Sequence, residues 1–234
     1  MPDYPELKLF INGAWRATSE TEPVLNPFDG SVIGGAPVAN TTADDRLMRE
    51  RADEIAYCNT LDMGKPLGDS RAEVMRCGKI LEWDAAESLR MYGRVIEGPA
   101  GYRNTVFRQP IGPVAAFSTW NFPVSTAMRK IASALAAGCA LILKAPEDTP
   151  SGAFHVTRVF REAGLPDGVL NLVYGVPDQI SSYLIPQDRI RLVTFTGSTA
   201  IGHHLNKMAA DHMKPVLMEL GGHAPVIVCD DVDP

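Results

Sequence analysis

From Gly112 onward, apolar runs of strand length alternate with helical stretches, and this alternation limits the fold more than any other feature of the chain. Strands are predicted over 113–118, 140–144, 169–173, 191–196, 214–218 and 225–229. Helices are predicted over 124–137, 150–163, 178–185 and 199–211. Strands without an exposed polar face need cover on both sides, so the pattern implies an α/β fold with a parallel, doubly covered sheet. In such sheets, ligands gather where strands end and helices begin.

The first half is less regular. Leu7 to Trp15, with Asn12-Gly13 at its centre, is a hairpin signal. A short strand and turn over 24–30 and a strand over 31–38 follow, forming an appendage rather than α/β repeats. A helix is expected from Asp44 to Asp62, closed by Gly64, and a second from Pro66 to about Met91. The apolar stripe Val74, Leu81, Ala85 and Leu89 places that second helix against a core, with Trp83 and Met75 beside it. Strands over 94–96 and 102–109 of mixed polarity read equally as a solvated hairpin or as an arm for a neighbouring subunit's sheet. Three segments result: an N-terminal appendage with helices over 1–92, the hairpin over 93–110, and the α/β segment over 111–234.

The 234 residues are 45% apolar and 21% charged with a net charge of −6, an ordinary globular composition. The lack of a basic block argues against nucleic acid as the main partner, and no apolar run approaches the length of a membrane span. Cys58, Cys77, Cys139 and Cys229 show no paired metal spacing, so no metal site is expected. All four read as small buried residues in a reducing, cytoplasmic setting.

Four motifs carry chemistry. Trp120-Asn121-Phe122-Pro123 stands between a strand and a helix, where the Asn121 carboxamide is either a turn residue or a donor to an oxyanion. Lys144 and Glu147 follow the next strand, as a solvated loop or as partners for ribose hydroxyls. Gly197-Ser198-Thr199 opens a helix, with Ser198 or Thr199 as its cap, and is a weak phosphate-binding signal. Glu219-Leu220-Gly221-Gly222 places a carboxylate among Met218 and Leu220, surroundings expected to raise its proton affinity and suit it to act as a base.

In this order and at these separations, the four motifs resemble those of the NAD(P)-dependent aldehyde dehydrogenase superfamily. The resemblance extends to Asn26-Pro27 and Met63-Gly64-Lys65-Pro66-Leu67, and the stretches 143–147 and 218–225 are similar to bacterial succinate-semialdehyde and related dehydrogenases. It implies a Rossmann-like cofactor-binding domain with N-terminal strands and an oligomerisation hairpin, in a homodimer or homotetramer. It also implies oxidation of a small aldehyde to its acid through a cysteine thioester. On the matching positions, Asn121 becomes the oxyanion donor, Glu219 the general base and Lys130 a further active-site residue. Ser118, Thr119, Trp120, Lys144, Glu147, Gly197, Ser198 and Leu220 become cofactor contacts. The carboxylate of Glu147 favours NAD over NADP, while Lys144 offsets part of its repulsion for a 2′-phosphate.

The chain departs from the family pattern at several points. Thr119 stands where many relatives have proline, and His223 replaces a common lysine. The family nucleophile lies a few dozen residues beyond the matched glutamate, and neither Cys229 nor Cys139 matches it. The catalytic domain is therefore expected to be missing, and the chain alone to be inactive and poorly soluble. Near Asp45-Arg46 a helical segment found in relatives is absent. The alternative to a dehydrogenase is a non-catalytic dinucleotide-binding or interaction protein, or an inactive gene fragment.

Overall fold

The computed structural model describes residues 4–11, 13–17, 22–25, 32–36 and 45–231. The expected alternation is present: β7 (Val114–Phe117), α4 (Pro123–Ala136), β8 (Leu141–Lys144), α5 (Pro150–Glu162), β9 (Leu170–Val173), α6 (Pro177–Leu184), β10 (Leu192–Thr196), α7 (Thr199–Ala210) and β11 (Val216–Glu219). The five strands pair in parallel in the order β11-β10-β7-β8-β9. The chain thus builds outward from β7 through β8 to β9, then returns to lay β10 on the other side of β7. Right-handed crossovers put the helices on one face for the first direction and on the opposite face for the second.

The side chains follow that division. Val114 and Ala116 of β7, with Leu141, Leu143, Leu170 and Leu172, pack against Val124, Met128 and Ile131 of α4 and Val156 and Phe160 of α5. Ala115 and Phe117 point the other way, to Val193, Phe195, Ile185, Leu205 and Ala209. Period-two alternation within one strand therefore feeds two cores. Burying each such large side chain contributes about 1.5–3 kcal/mol.

The N-terminal hairpin joins this sheet. β1 (Leu9–Ile11) and β2 (Ala14–Arg16) pair antiparallel around Gly13, whose φ of +81° suits glycine. β1 then adds antiparallel to β9, so the hairpin extends the sheet edge. β3 (Glu22–Leu25) and β4 (Val32–Ala36) form a separate antiparallel pair. The Asn26-Pro27 and Thr42-Ala43-Asp44 stretches lie outside the described residues.

The first predicted helix divides at Arg51 into α1 (Asp45–Glu50) and α2 (Ala52–Met63), because Arg51 adopts φ −101° and ψ 8°. Gly64, at φ 72°, closes α2 as expected and donates its N–H to the Thr60 carbonyl. α3 (Leu67–Ser88) packs across α4 with Val74 and Cys77 fully buried and Met75, Ile80 and Leu81 partly buried beside them. Cover thins towards its far end: Trp83, Ala85 and Leu89 are exposed, contrary to the core role expected of them, while Asp84 still accepts from Ser133 of α4 and Glu82 from Arg49 of α1. β5 (Arg94–Glu97) and β6 (Arg103–Val106) pair with each other, and all of their residues are exposed. The strand predicted over 225–229 does not form. Its apolar run has strand propensity, but no neighbour pairs with it, and Val226, Ile227 and Val228 are exposed.

Candidate functional site

Strand register brings the candidate residues to one edge. Phe117 of β7 lies beside Lys144 on one side and Phe195 on the other, and Thr196 lies beside Glu219. The segment Ser118–Asn121, the loop with Glu147, the Gly197-Ser198 turn and Leu220 therefore all follow carboxyl ends of parallel strands. The chain reverses direction between β7 and β10, so this edge holds the crevice that such sheets use for ligands.

The turn carrying Asn121 is held by its main chain. Thr149 Oγ1 donates to the Trp120 carbonyl at 3.2 Å, and Lys65 Nζ donates to the Asn121 carbonyl at 2.9 Å. The Phe122 carbonyl accepts from Thr126 N at 2.9 Å and Thr126 Oγ1 at 2.8 Å. Pro123 begins α4 with no side-chain cap from Phe122. Glu73 of α3 does that work from a distance: its Oε1 accepts Val124 N at 3.0 Å and Ser125 N at 2.9 Å. Its Oε2 accepts Lys65 Nζ at 2.7 Å and Asn59 Nδ2 at 3.2 Å. A buried carboxylate at a helix N-terminus is favoured by the helix dipole and satisfies amides that have no intrahelical partner. Asn121 itself is exposed, with its side chain free of the core.

Lys130 approaches from the middle of α4 and donates to Thr194 Oγ1 of β10 at 2.9 Å. Burial pulls its ammonium down to about 8, while the negative charge of Glu219 pushes back upward. Lys130, Thr194 and Glu219 line a groove of about 830 Å³ between α3, α4 and the β10–β11 edge, with Trp83, Ile111 and Leu217 on its walls. Glu219 is exposed at the end of β11, not enclosed by Met218 and Leu220 as its neighbours in sequence suggested.

The Gly197-Ser198 turn is built as α7 begins. Ser198 is the cap, accepting from Ile201 N at a long 3.4 Å. A Cβ on Gly197 would meet the Phe195 ring at 2.4 Å, so only glycine fits above that ring. A Cβ on Gly202 would likewise meet Leu220 at 2.3 Å, which seats α7 directly on the Glu219-Leu220 segment. The first N–H groups of α7 thus stand at the crevice on a closely packed base, a layout suited to a pyrophosphate. Lys144 is buried and ion-paired with the partly exposed Glu147. That departs from a solvated loop and leaves the Glu147 carboxylate partly exposed at the edge.

Of the four cysteines, only Cys139 lines the groove that holds Lys130, Thr194 and Glu219. Cys58 and Cys77 are buried, and burial pushes the Cys58 thiol up to about 12 and that of Cys77 higher still. Cys139 is buried ahead of β8, at the amino end of the sheet, and Cys229 is exposed rather than buried, in the segment after β11. Among the described residues no cluster suits a metal ion, and no helix is long and apolar enough to cross a membrane.

Lys65, Glu73 and Thr149 were missed as site residues. Lys65 belongs to the 63–67 stretch that carried part of the resemblance. Glu73 directly precedes Val74, and with Ser70 and Cys77 it occupies the buried face of α3. An acid at helical spacing on an apolar face was the available signal.

The chain is 47% identical over 189 residues to 4-(hydroxymethyl)benzenesulfonate dehydrogenase of Comamonas testosteroni, covering 80% of this chain and 39% of that protein. It is 45% identical over 190 residues to a probable NADP(+) succinate-semialdehyde dehydrogenase of Sinorhizobium fredii, with the same coverage. Glutarate-semialdehyde dehydrogenase of Pseudomonas putida is 37% identical over 256 residues, covering 96% of this chain and 53% of that one. That match is longer than this chain, so the relative carries residues with no counterpart here. The structure of an NADP-dependent enzyme of E. coli superposes with a TM-score of 0.90 at 35% identity, over 97% of this chain and 54% of that one. The chain thus spans about half the length of the relatives it matches, or less. The model of the aldehyde dehydrogenase family matches residues 36–234, and with the parallel sheet and its edge motifs this places the chain in the aldehyde dehydrogenase family.

Proposed function

We propose that residues 111–234 supply the dinucleotide-binding layer, the oxyanion donor and the general base of an enzyme that oxidises a small aldehyde, such as a semialdehyde, to its carboxylic acid. The observation that carries this reading is the shared edge at the strand reversal, where Asn121, Lys144, Gly197 and Glu219 follow four neighbouring strands. The nicotinamide dinucleotide, when bound, supplies the hydride acceptor. Gly197 and the start of α7 would hold its pyrophosphate, and Lys144 and Glu147 its ribose. Asn121 would donate to the oxygen of the aldehyde once a nucleophile has added to the carbon. Glu219 would take the proton from the water that releases the acid. Lys130, sharing a groove with Glu219, would temper the charge there.

The Lys144–Glu147 pair leaves Glu147 partly neutralised. We expect NAD to bind better than NADP by less than about ten-fold, and Glu147→Ser to reverse the order. The four free cysteines fit a reducing, cytoplasmic compartment, and the exposed β5–β6 hairpin fits a subunit contact in a homodimer or homotetramer. A second reading, dinucleotide binding without catalysis, is favoured by where the four cysteines lie: Cys58 and Cys77 are buried in α2 and α3, Cys139 is buried at the amino end of the sheet, and Cys229 follows β11.

Calorimetric titration of the 234-residue chain with NAD and NADP, beside an assay of aldehyde-dependent cofactor reduction, tests both readings. Binding without turnover supports the second for the chain alone. Turnover abolished by alkylation would place the nucleophile on one of its four cysteines. Absence of any dinucleotide binding would sink both.

A further inference from the structure

We propose that Lys65 is a positioning residue for Asn121, held in register by Glu73; the assignment rests on the reading of Asn121 as the oxyanion donor. A carboxamide stabilises developing charge best when it is placed before the substrate arrives. Asn121 is exposed on a turn, so its placement depends on the backbone of residues 120–122.

Three successive carbonyls of that turn are tied, and only the Asn121 carbonyl is tied by a charged donor. The Lys65 ammonium reaches it at 2.9 Å while also donating to Glu73 Oε2 at 2.7 Å and standing 4.0 Å from the centre of the Phe122 ring. Charge-assisted bonds of this kind are shorter and stronger than neutral ones. The Lys65 side chain is 11% exposed and that of Glu73 1%. Water therefore competes little for the Lys65–Glu73 pair, which anchors the ammonium from within while its bond to the Asn121 carbonyl faces the exposed turn.

The geometry is more than neutralisation of Glu73. A lysine serving only that end has no need to reach the Asn121 carbonyl or cover Phe122. Glu73 couples the two jobs, because one carboxylate starts α4 through its Oε1 and holds Lys65 through its Oε2. The turn and the helix that follows it are fixed to a common point on α3. The bond from Lys65 ends on the main-chain oxygen of Asn121, so its action on the reaction would run through Asn121.

Trp120 lies within the turn and gives a direct reporter. The chain would be labelled with 5-fluorotryptophan, and the three fluorine lines assigned with Trp120→Phe. Lys65→Met, which keeps the aliphatic stem, should broaden or split the Trp120 line by about two-fold or more and leave those of Trp15 and Trp83 in place. Lys65→Arg should restore a single line. An unchanged Trp120 line, or equal broadening of all three lines, would overturn the proposal. Should Lys65→Met not fold, Lys65→Gln keeps a neutral donor and should broaden the Trp120 line less; no broadening there is equally fatal.

Adding NAD separates this idea from the functional reading. Selective broadening by Lys65→Met, with no wild-type line moved by NAD, supports the positioning of the turn and counts against the dinucleotide site. An NAD-induced Trp120 shift of the same size and midpoint in wild type and Lys65→Met supports the dinucleotide site and removes Lys65 from its positioning role.

Discussion

Helices α4 and α5 begin alike and are closed by different chemistry. Each has proline at its first position, after a residue at φ −139° and ψ 62° that supplies no side-chain cap. Each borrows a buried carboxylate from the α2–α3 layer. At α4 this is Glu73, joined to the Lys65 ammonium. At α5 it is Asp62, whose Oδ2 accepts Ser151 N at 2.9 Å and Ser151 Oγ at 2.6 Å, and whose Oδ1 accepts the Tyr4 hydroxyl at 2.5 Å. The donors to Asp62 are neutral, so burial dominates and pushes its carboxyl up to about 7, with the Ser151 and Tyr4 bonds pulling back. One backbone problem thus has an ion-paired solution at α4 and a titratable one at α5.

The largest expected effect breaks the first solution. Glu73→Ala leaves two amides and the Lys65 ammonium without their acceptor in a buried place, and should destabilise the fold by about 3–5 kcal/mol in urea unfolding. A loss under about 1 kcal/mol would mean that water or another side chain replaces the carboxylate.

The next prediction concerns pH. The folded-state value of Asp62 lies above its ordinary 3.8, so below that both states are protonated and the contribution is complete. Between about 4 and 7 the unfolded chain ionises while the folded one keeps its proton, so stability falls as pH rises and then levels off. The total loss is on the order of 4 kcal/mol. Asp62→Asn should flatten this slope in urea midpoints measured from pH 4.5 to pH 7.5, and an unchanged slope would assign it elsewhere.

A smaller effect tests how closely the two starts are coupled. A Cβ on Gly152 of α5 would stand 3.0 Å from the main chain of both Pro123 and Val124. Gly152→Ala should press α5 against the start of α4 and cost about 1–3 kcal/mol. A crystal structure of that variant should show displacement at 123–124 rather than within α5. The smallest effect is expected at α7, which uses its own Ser198. The bond is 3.4 Å long and exposed, so Ser198→Ala should cost about 0.5–1 kcal/mol by thermal unfolding. A larger loss would show that local capping rivals the distant kind.

The strands and helices from Gly112 to Glu219 were legible because their apolar periods differ, and each element was found within about two residues. The failures share a cause. Residues 225–229 carry strand propensity without a partner, and Trp83 sits where the cover over α3 thins. Periodicity records what a segment prefers to bury, not whether anything lies opposite. The site motifs were legible for a different reason, since strand ends, glycines and lone polar residues punctuate apolar runs. Glu73 and Asp62 were not seen, because each sits inside a helix and acts on a helix start 51 and 89 residues away.

By itself the sequence determined the class of fold, the order of its main elements and the placing of polar motifs at the ends of apolar strands. These follow from local sterics and side-chain periodicity, which every stretch of chain carries within itself. Only the tertiary structure decided which strands became neighbours at the β7–β10 reversal and which buried acids closed α4 and α5. It also decided how a lysine from the α2–α3 connection came to hold the carbonyl of Asn121. Those choices depend on desolvation and on charges brought together from distant positions, and neither exists until the chain is packed.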